Sequence, residues 1–181
     1  MTSQQFSSTI AWPEAIYQSL KAADVRQAAY VPDAGHSRLI TLLEADPNIA
    51  TTVLTTEEEG MALAAGAWLG GQRSVVLMQS SGVGNCVNML SLPRVCQMPL
   101  FMLVTMRGEW GEFNPWQVPM GQSTQAVLET AGVIVHRVDR VEDVVTTVDH
   151  GLRLAFASRC RVAVLLSQRL IGTKDFARGD K

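Results

Sequence analysis

The chain has 181 residues, 47% of them hydrophobic, and a formal net charge of −2. That length and apolar content suit one compact domain with a sizeable core better than two small ones. The charge balance offers no electrostatic footprint for nucleic acid or an anionic membrane, because Lys and Arg are scattered rather than clustered.

In chain order, residues 1–10 are expected to be mobile, and MTSQQFSSTIAWPE lacks the basic start and apolar run of a signal peptide. Trp12 and Pro13 open a predicted helix that runs to about Ala22; proline is tolerated in a first turn, where its missing N–H is not needed. A strand follows at Val25–Val31, ended by the turn composition Pro32-Asp33-Ala34-Gly35. Leu39, Ile40, Leu42 and Leu43 have helical spacing, closed by Asp46-Pro47. Ile49–Leu54 is the second strand. Thr55 or Thr56 then caps a helix from Glu57 to about Leu69, whose acidic first turn suits the helix dipole. Val75–Met78 is the third strand, Gly84–Val95 a helix interrupted near Pro93, and Leu100–Thr105 the fourth strand. Arg107–Pro119 reads as irregular and polar-aromatic. A helix at Ser123–Thr130, a strand at Val133–Val138, a helix at Glu142–Ser158 and a strand at Val162–Leu166 complete a domain over residues 11–172. Residues 173–181 form a polar tail.

Strand–helix alternation of this kind predicts an α/β fold in three layers, a mostly parallel six-stranded sheet with helices on both faces. The continuous apolar runs VVLM, FMLV and VAVLL fit strands buried on both sides. No uncharged apolar stretch reaches roughly 18 residues, so no transmembrane helix and no membrane partner are expected. Cys86, Cys96 and Cys160 are odd in number and lack CxxC spacing, which predicts buried reduced thiols and a cytoplasmic protein. His36, His136 and His150 do not join them at metal-ligand spacing, so no metal site is expected.

Function in open α/β sheets gathers at the carboxyl ends of strands. Four segments lie there: PDAGH, TTEEEG, QSSGVGN and TMRGEWGE. Glu57-Glu58-Glu59 alone reads as a solvated helix start. QSSGVGN permits close backbone approach to a ligand, yet matches neither GxGxxG nor GxxxxGK[ST]. The long loop bearing Trp110, Phe113 and Trp116 is either a lid or contact surface or an anchored connection. His36 alone reads as a capping or surface residue, and His136 as structural.

Together the four segments resemble the pyrimidine-binding domain of thiamine-diphosphate-dependent decarboxylases, over about Trp12–Ile171. YVPD resembles that family's proline turn after the first strand, TTEEEGMALAAGAWLGG its catalytic-glutamate helix, and SSGVGN its SGPGATN loop. VPD, EEEG and MRGEWGE look most similar to the sulfopyruvate and phosphonopyruvate decarboxylases, the former known as separate alpha and beta chains. An acid followed nine positions later by glycine marks the glutamate; Gly66 as that glycine selects Glu57, with Glu58 in reserve.

The resemblance implies that Glu57 hydrogen-bonds N1′ of the cofactor's aminopyrimidine, with Val31, Pro32, Ser81, Gly82, Val83 and Asn85 also at the cofactor. A sulfonate or phosphonate tail on a small 2-oxo acid needs cationic or N–H donors, and Arg107, followed by His36 and Gln117, is the candidate because all three fall in strand-end loops. Full-length relatives carry a second domain with a GDG…N segment that holds magnesium and the diphosphate. No GDG occurs in this chain, and Gly179-Asp180 sits in the tail. The implied assembly is a self-associating hetero-oligomer in which a diphosphate-binding beta subunit holds Mg²⁺. Ala34, where relatives often have Ser, leaves phosphonopyruvate or another 2-oxo acid open as substrate. A non-catalytic regulatory homologue is the alternative from another class.

Overall fold

The computed structural model describes residues 11–172. The expected mobile start and polar tail, with Gly179-Asp180, lie outside these residues. Six strands, β1 (Val25–Tyr30), β2 (Ala50–Val53), β3 (Arg73–Gln79), β4 (Leu100–Thr105), β5 (Ile134–Val138) and β6 (Arg161–Leu166), form one sheet in the order β2-β1-β3-β4-β6-β5. Every neighbouring pair is parallel, so the sheet is wholly rather than mostly parallel.

The helices are α1 (Trp12–Ala22), α2 (Ser37–Glu44), α3 (Glu57–Leu69), α4 (Ser80–Cys86), α5 (Ser91–Val95), α6 (Val118–Thr130), α7 (Val144–Ser158) and α8 (Gln168–Ile171). Side-chain alternation along the strands sorts them into two layers. Val75 and Leu77 of β3, Phe101 and Leu103 of β4 and Val162 and Val164 of β6 meet Ile16, Leu20, Leu39, Val148 and Leu152 from α1, α2 and α7. The intervening residues, Val76, Met78, Met102, Val104, Ala163 and Leu165, meet Met61, Ala64, Val83, Cys86 and Leu128 from α3, α4 and α6. The apolar runs expected to be buried on both faces are the three inner strands β3, β4 and β6. The edge strands β2 and β5 leave Val53 and Ile134 exposed.

Several boundaries differ from the sequence expectation, each for a local reason. The helix expected over Gly84–Val95 is two: α4 starts directly at the end of β3, and α5 is separate. Pro93 lacks the N–H that a continuous helix would give to the Met89 carbonyl. α6 starts at Val118, five residues before Ser123, with Pro119 in its first turn. The segment over Arg107–Pro119 is therefore irregular only to Asn114, where the Asn114 side chain accepts from the Trp116 N–H and starts a 3₁₀ turn at Pro115–Gln117. α8 has no counterpart in the sequence expectation; Ser167 caps it by accepting from the Leu170 N–H. The cysteines are all free, but only Cys86 is buried, and Cys96 is exposed at the end of α5.

Chain order reverses between β1 and β3, because β2 pairs outward on β1 and β3 returns to its other side. The carboxyl ends flanking such a reversal form the crevice where doubly wound sheets bind ligands. α3 is drawn close to the sheet beside it by small residues. A Cβ on Gly60 would lie 2.7 Å from Val76 Cγ1 and 3.1 Å from Leu54 Cδ1.

Gly60→Ala gains about 1 kcal/mol of helix propensity but overpacks this contact, which costs about 1–3 kcal/mol. A net loss of up to about 2 kcal/mol is expected from urea denaturation, because the contacted Val76 is fully buried.

Candidate active site

Glu57 is the first residue of α3 and is 8% exposed, whereas Glu58 and Glu59 point to solvent. Successive residues turn about 100° around a helix, so only one of the three acids can face inward. Glu59 closes the helix start instead, its Oε2 accepting from the Thr55 N–H at 2.8 Å. That contact replaces the cap expected of Thr55 or Thr56, since Thr56 makes no side-chain cap.

The Glu57 carboxyl lies on α4. Asn85 Nδ2 donates to its Oε2 at 2.8 Å. Below it is the bare Cα of Gly82, where any Cβ would collide with Glu57 Cγ, Cδ and Oε1. Gly82 is thus required by close approach and not by a turn, and QSSGVGN is helical from Ser80. Glu57 borders a cavity of about 740 Å³ together with Ser81, Gly82, Gly84, Asn85, Pro115, Trp116, Pro119 and Met120. Its walls are mostly apolar, and Trp116 is 83% exposed at its side.

The remaining residues singled out in the sequence divide. Ser81 and Asn85 line the cavity with Glu57. Val83 sends its side chain into the core between α4 and the sheet. Pro32 borders a separate cavity of about 450 Å³ with Tyr30, Asp33 and Ala34. Val31 is half-buried beside it and lines neither. Gln117 is half-buried, with a side-chain carbonyl that lacks a partner.

His36 is not a surface or capping residue. It is fully buried and makes no cap bond, and burial drives its pKa well below the ordinary range, the Asp33 carboxylate opposing this. Asp33 joins three strand ends: Thr105 Oγ1 donates to its Oδ2 at 2.5 Å, and Gln79 Nε2 donates to its Oδ1 at 3.0 Å. Ser81 Oγ donates in turn to Gln79 Oε1 at 3.1 Å, connecting this cluster to the cavity wall.

Arg107 is buried rather than displayed in a loop. Its Nε and Nη2 each donate to Glu112 at 2.6 Å, and its guanidinium lies over the Phe113 ring. Glu112 also accepts from the backbone N–H groups of Gly108 and Asn114 and from Gln168 Nε2. Gln168 Oε1 accepts from the N–H groups of Glu109 and Trp110. Glu109 bridges to Arg137. The loop is therefore fastened to the ends of β4, β5 and β6. Sequence reasoning misses Glu112 and Gln168; a glutamine 59 positions away from its partner leaves no local signal.

The buried Glu57 carboxyl and its cavity thus lie on the carboxyl-end side of a wholly parallel sheet, the side on which open α/β domains place their ligands. Residues 12–124 match the thiamine pyrophosphate enzyme family, N-terminal TPP binding domain. The chain belongs to this family and is a pyrimidine-domain chain of it. It is 42% identical over 116 residues to the sulfopyruvate decarboxylase subunit alpha of Methanothermobacter thermautotrophicus, covering 64% of this chain and 70% of that one. The subunit alpha of Methanocaldococcus jannaschii is 32% identical over 152 residues, covering 83% of this chain and 90% of that one. Phosphonopyruvate decarboxylase of Streptomyces viridochromogenes is 32% identical over 142 residues, 77% of this chain but 36% of that one. Among solved structures, 2-oxoglutarate:ferredoxin oxidoreductase from Magnetococcus marinus shares the fold, with a TM-score of 0.69 at 16% identity, over 90% of this chain and 29% of that one. No helix among the described residues is long and apolar enough to cross a membrane.

The pairing with Arg107 and, after the opposing effect of burial, the N–H groups of Asn114 and Gly108 hold the Glu112 carboxyl down to about 2, against an ordinary 4.5. A depressed carboxyl contributes its stabilisation above the unfolded value and loses it as pH falls through the folded one. The loop is expected to loosen as pH drops from about 4.5 towards 2, read by Trp110 and Trp116 fluorescence. Glu112→Gln is expected to remove this acid transition and to show the loosened signal already at neutral pH.

Proposed function

We propose that this chain is the alpha subunit of a thiamine-diphosphate-dependent 2-oxo-acid decarboxylase, a carboxy-lyase acting on sulfopyruvate in the cytoplasm. Residues 11–172 are its pyrimidine-binding domain, and a separate beta subunit grips the diphosphate and Mg²⁺ in a hetero-oligomer. The observation that carries the proposal is the buried Glu57 carboxyl, with one oxygen held by Asn85 and the other open to an apolar cavity.

The residues at this cavity fit an aminopyrimidine. A heteroaromatic ring needs flat apolar walls and close backbone approach, which Trp116, Met120, Gly82 and Gly84 supply. Its ring nitrogen needs a partner that can share a proton, and a half-desolvated carboxyl meets that need along a short charge-assisted hydrogen bond. The cofactor supplies the nucleophile and the electron sink for loss of CO₂. Glu57 holds the N1′ proton, Gly82 seats that carboxyl, Gly84 admits the ring edge, and Trp116 and Met120 keep water from it. Ser81 borders the ring and ties it to the Asp33 cluster.

For the substrate, Arg107 is the candidate cation, two residues past the end of β4. Two of its donor positions belong to Glu112, which leaves Nη1 for a sulfonate among the described residues. His36, fully enclosed and held neutral, gives the substrate neither a charge nor an exposed donor. Gln117 follows the cavity residue Trp116 in the chain, and its amide is a secondary donor. The relatives named for sulfopyruvate and phosphonopyruvate support an anionic tail on the 2-oxo acid; the greater coverage of alpha subunits supports sulfopyruvate.

Glu57→Gln is expected to keep assembly with the beta subunit and to lose about 10²-fold or more in turnover, measured as CO₂ release with thiamine diphosphate and Mg²⁺. Full activity in that variant would remove the assignment. Arg107→Ala is expected to raise KM for sulfopyruvate about 10-fold or more, as loss of a charged hydrogen bond implies, and to raise KM for pyruvate far less. Glu112→Gln is the companion control, since it unfastens the loop but keeps the cation. Equal effects on both substrates would argue that Arg107 serves the loop alone.

A further inference from the structure

We infer that Asn85 is the positioning residue for Glu57: its amide pins one carboxyl oxygen so that the other is presented to the cavity at a fixed angle. The inference rests on the proposed role of Glu57 at the pyrimidine ring and adds the device that aims it.

A glutamate side chain has three rotatable bonds, and an unheld carboxyl offers its two oxygens indifferently. Here α4 removes that freedom with two residues three positions apart, which lie on one helix face. Gly82 is the floor, its Cα lying directly under Glu57 Cγ, Cδ and Oε1. Asn85 is the clamp, its Nδ2 at 2.8 Å from Oε2. Among the described residues no hydrogen bond reaches Oε1, and Glu57 borders the cavity. The carboxyl is thus held at one end and available at the other.

The chemistry of the clamp matters as much as its place. An amide is a neutral donor, so it orients a carboxyl without fixing its charge. A Lys or Arg at the same place would draw the acid into an ion pair and lock it ionised. An Asp would set a second carboxyl against the first, and the two would have to share a proton. Asparagine alone among these leaves Glu57 free to trade its proton with a ring nitrogen. Asn85 is itself exposed on α4 and belongs to no core cluster, so packing does not require its shape.

The experiment compares Asn85→Ala, Asn85→Asp and Glu57→Gln in the full chain assembled with its beta subunit. Three readouts are taken: turnover, thiamine diphosphate affinity by calorimetry with Mg²⁺, and crystal structures of each variant. Asn85→Ala is expected to lower kcat about 10- to 100-fold, the scale of a misplaced reacting group, with substrate KM unchanged. Its Glu57 carboxyl is expected to occupy more than one rotamer. Asn85→Asp, though isosteric with the native residue, is expected to be slower than Asn85→Ala and to bind the cofactor more weakly. The reverse order would mean that only shape matters there and would overturn the inference. Wild-type kcat and a single Glu57 rotamer in Asn85→Ala, alongside a dead Glu57→Gln, would overturn it while leaving the role of Glu57 standing. An active Glu57→Gln would overturn both.

Discussion

The structure turns on a carboxyl resting on a bare Cα. Glu57 can lie inside the crevice only because Gly82 has no side chain, and Gly82 can be there only because α4 starts at the very end of β3. That geometry in turn needs α3 close to the sheet, which Gly60, Ala64 and Ala67 allow by burying little bulk against Val76 and Leu54. Small residues therefore act twice on this side of the molecule, once to lower the helix and once to seat the acid. Bringing a carboxylate out of water costs free energy unless it is hydrogen-bonded, and Asn85 meets that requirement with a neutral group.

The fold was legible because three strands are apolar on both faces and the longer helices, α1, α3 and α7, carry clear start signals or helical spacing. What blurred was the start of each helix that departs directly from a strand or a proline turn. α4 and α6 both start earlier than their hydrophobic spacing suggests, since glycine and proline there look like loop residues and are first-turn residues instead. The choice among three adjacent glutamates was legible only through resemblance to a family pattern; helical geometry then separates them, one inward and two outward.

The polar network was the part that sequence could not supply. Arg107 reads as a free cation, but Glu112 takes two of its donors, and Gln168 reaches back across 56 positions to the same carboxyl. His36 follows a turn and looks solvated, yet it is completely enclosed. Such facts depend on which strand ends become neighbours, and that follows from the β2-β1-β3-β4-β6-β5 order and not from any local run of residues.

The fastening of the 107–117 segment has a consequence for encounters with another macromolecule. All of its ties, to Glu112, Gln168 and Arg137, are made within the chain itself. A segment organised at folding has already surrendered its conformational entropy, so a body docking there does not have to order it afterwards. The backbone that carries Trp116 is accordingly set before contact, with the Trp116 N–H held by Asn114, and its indole stands in water until something covers it.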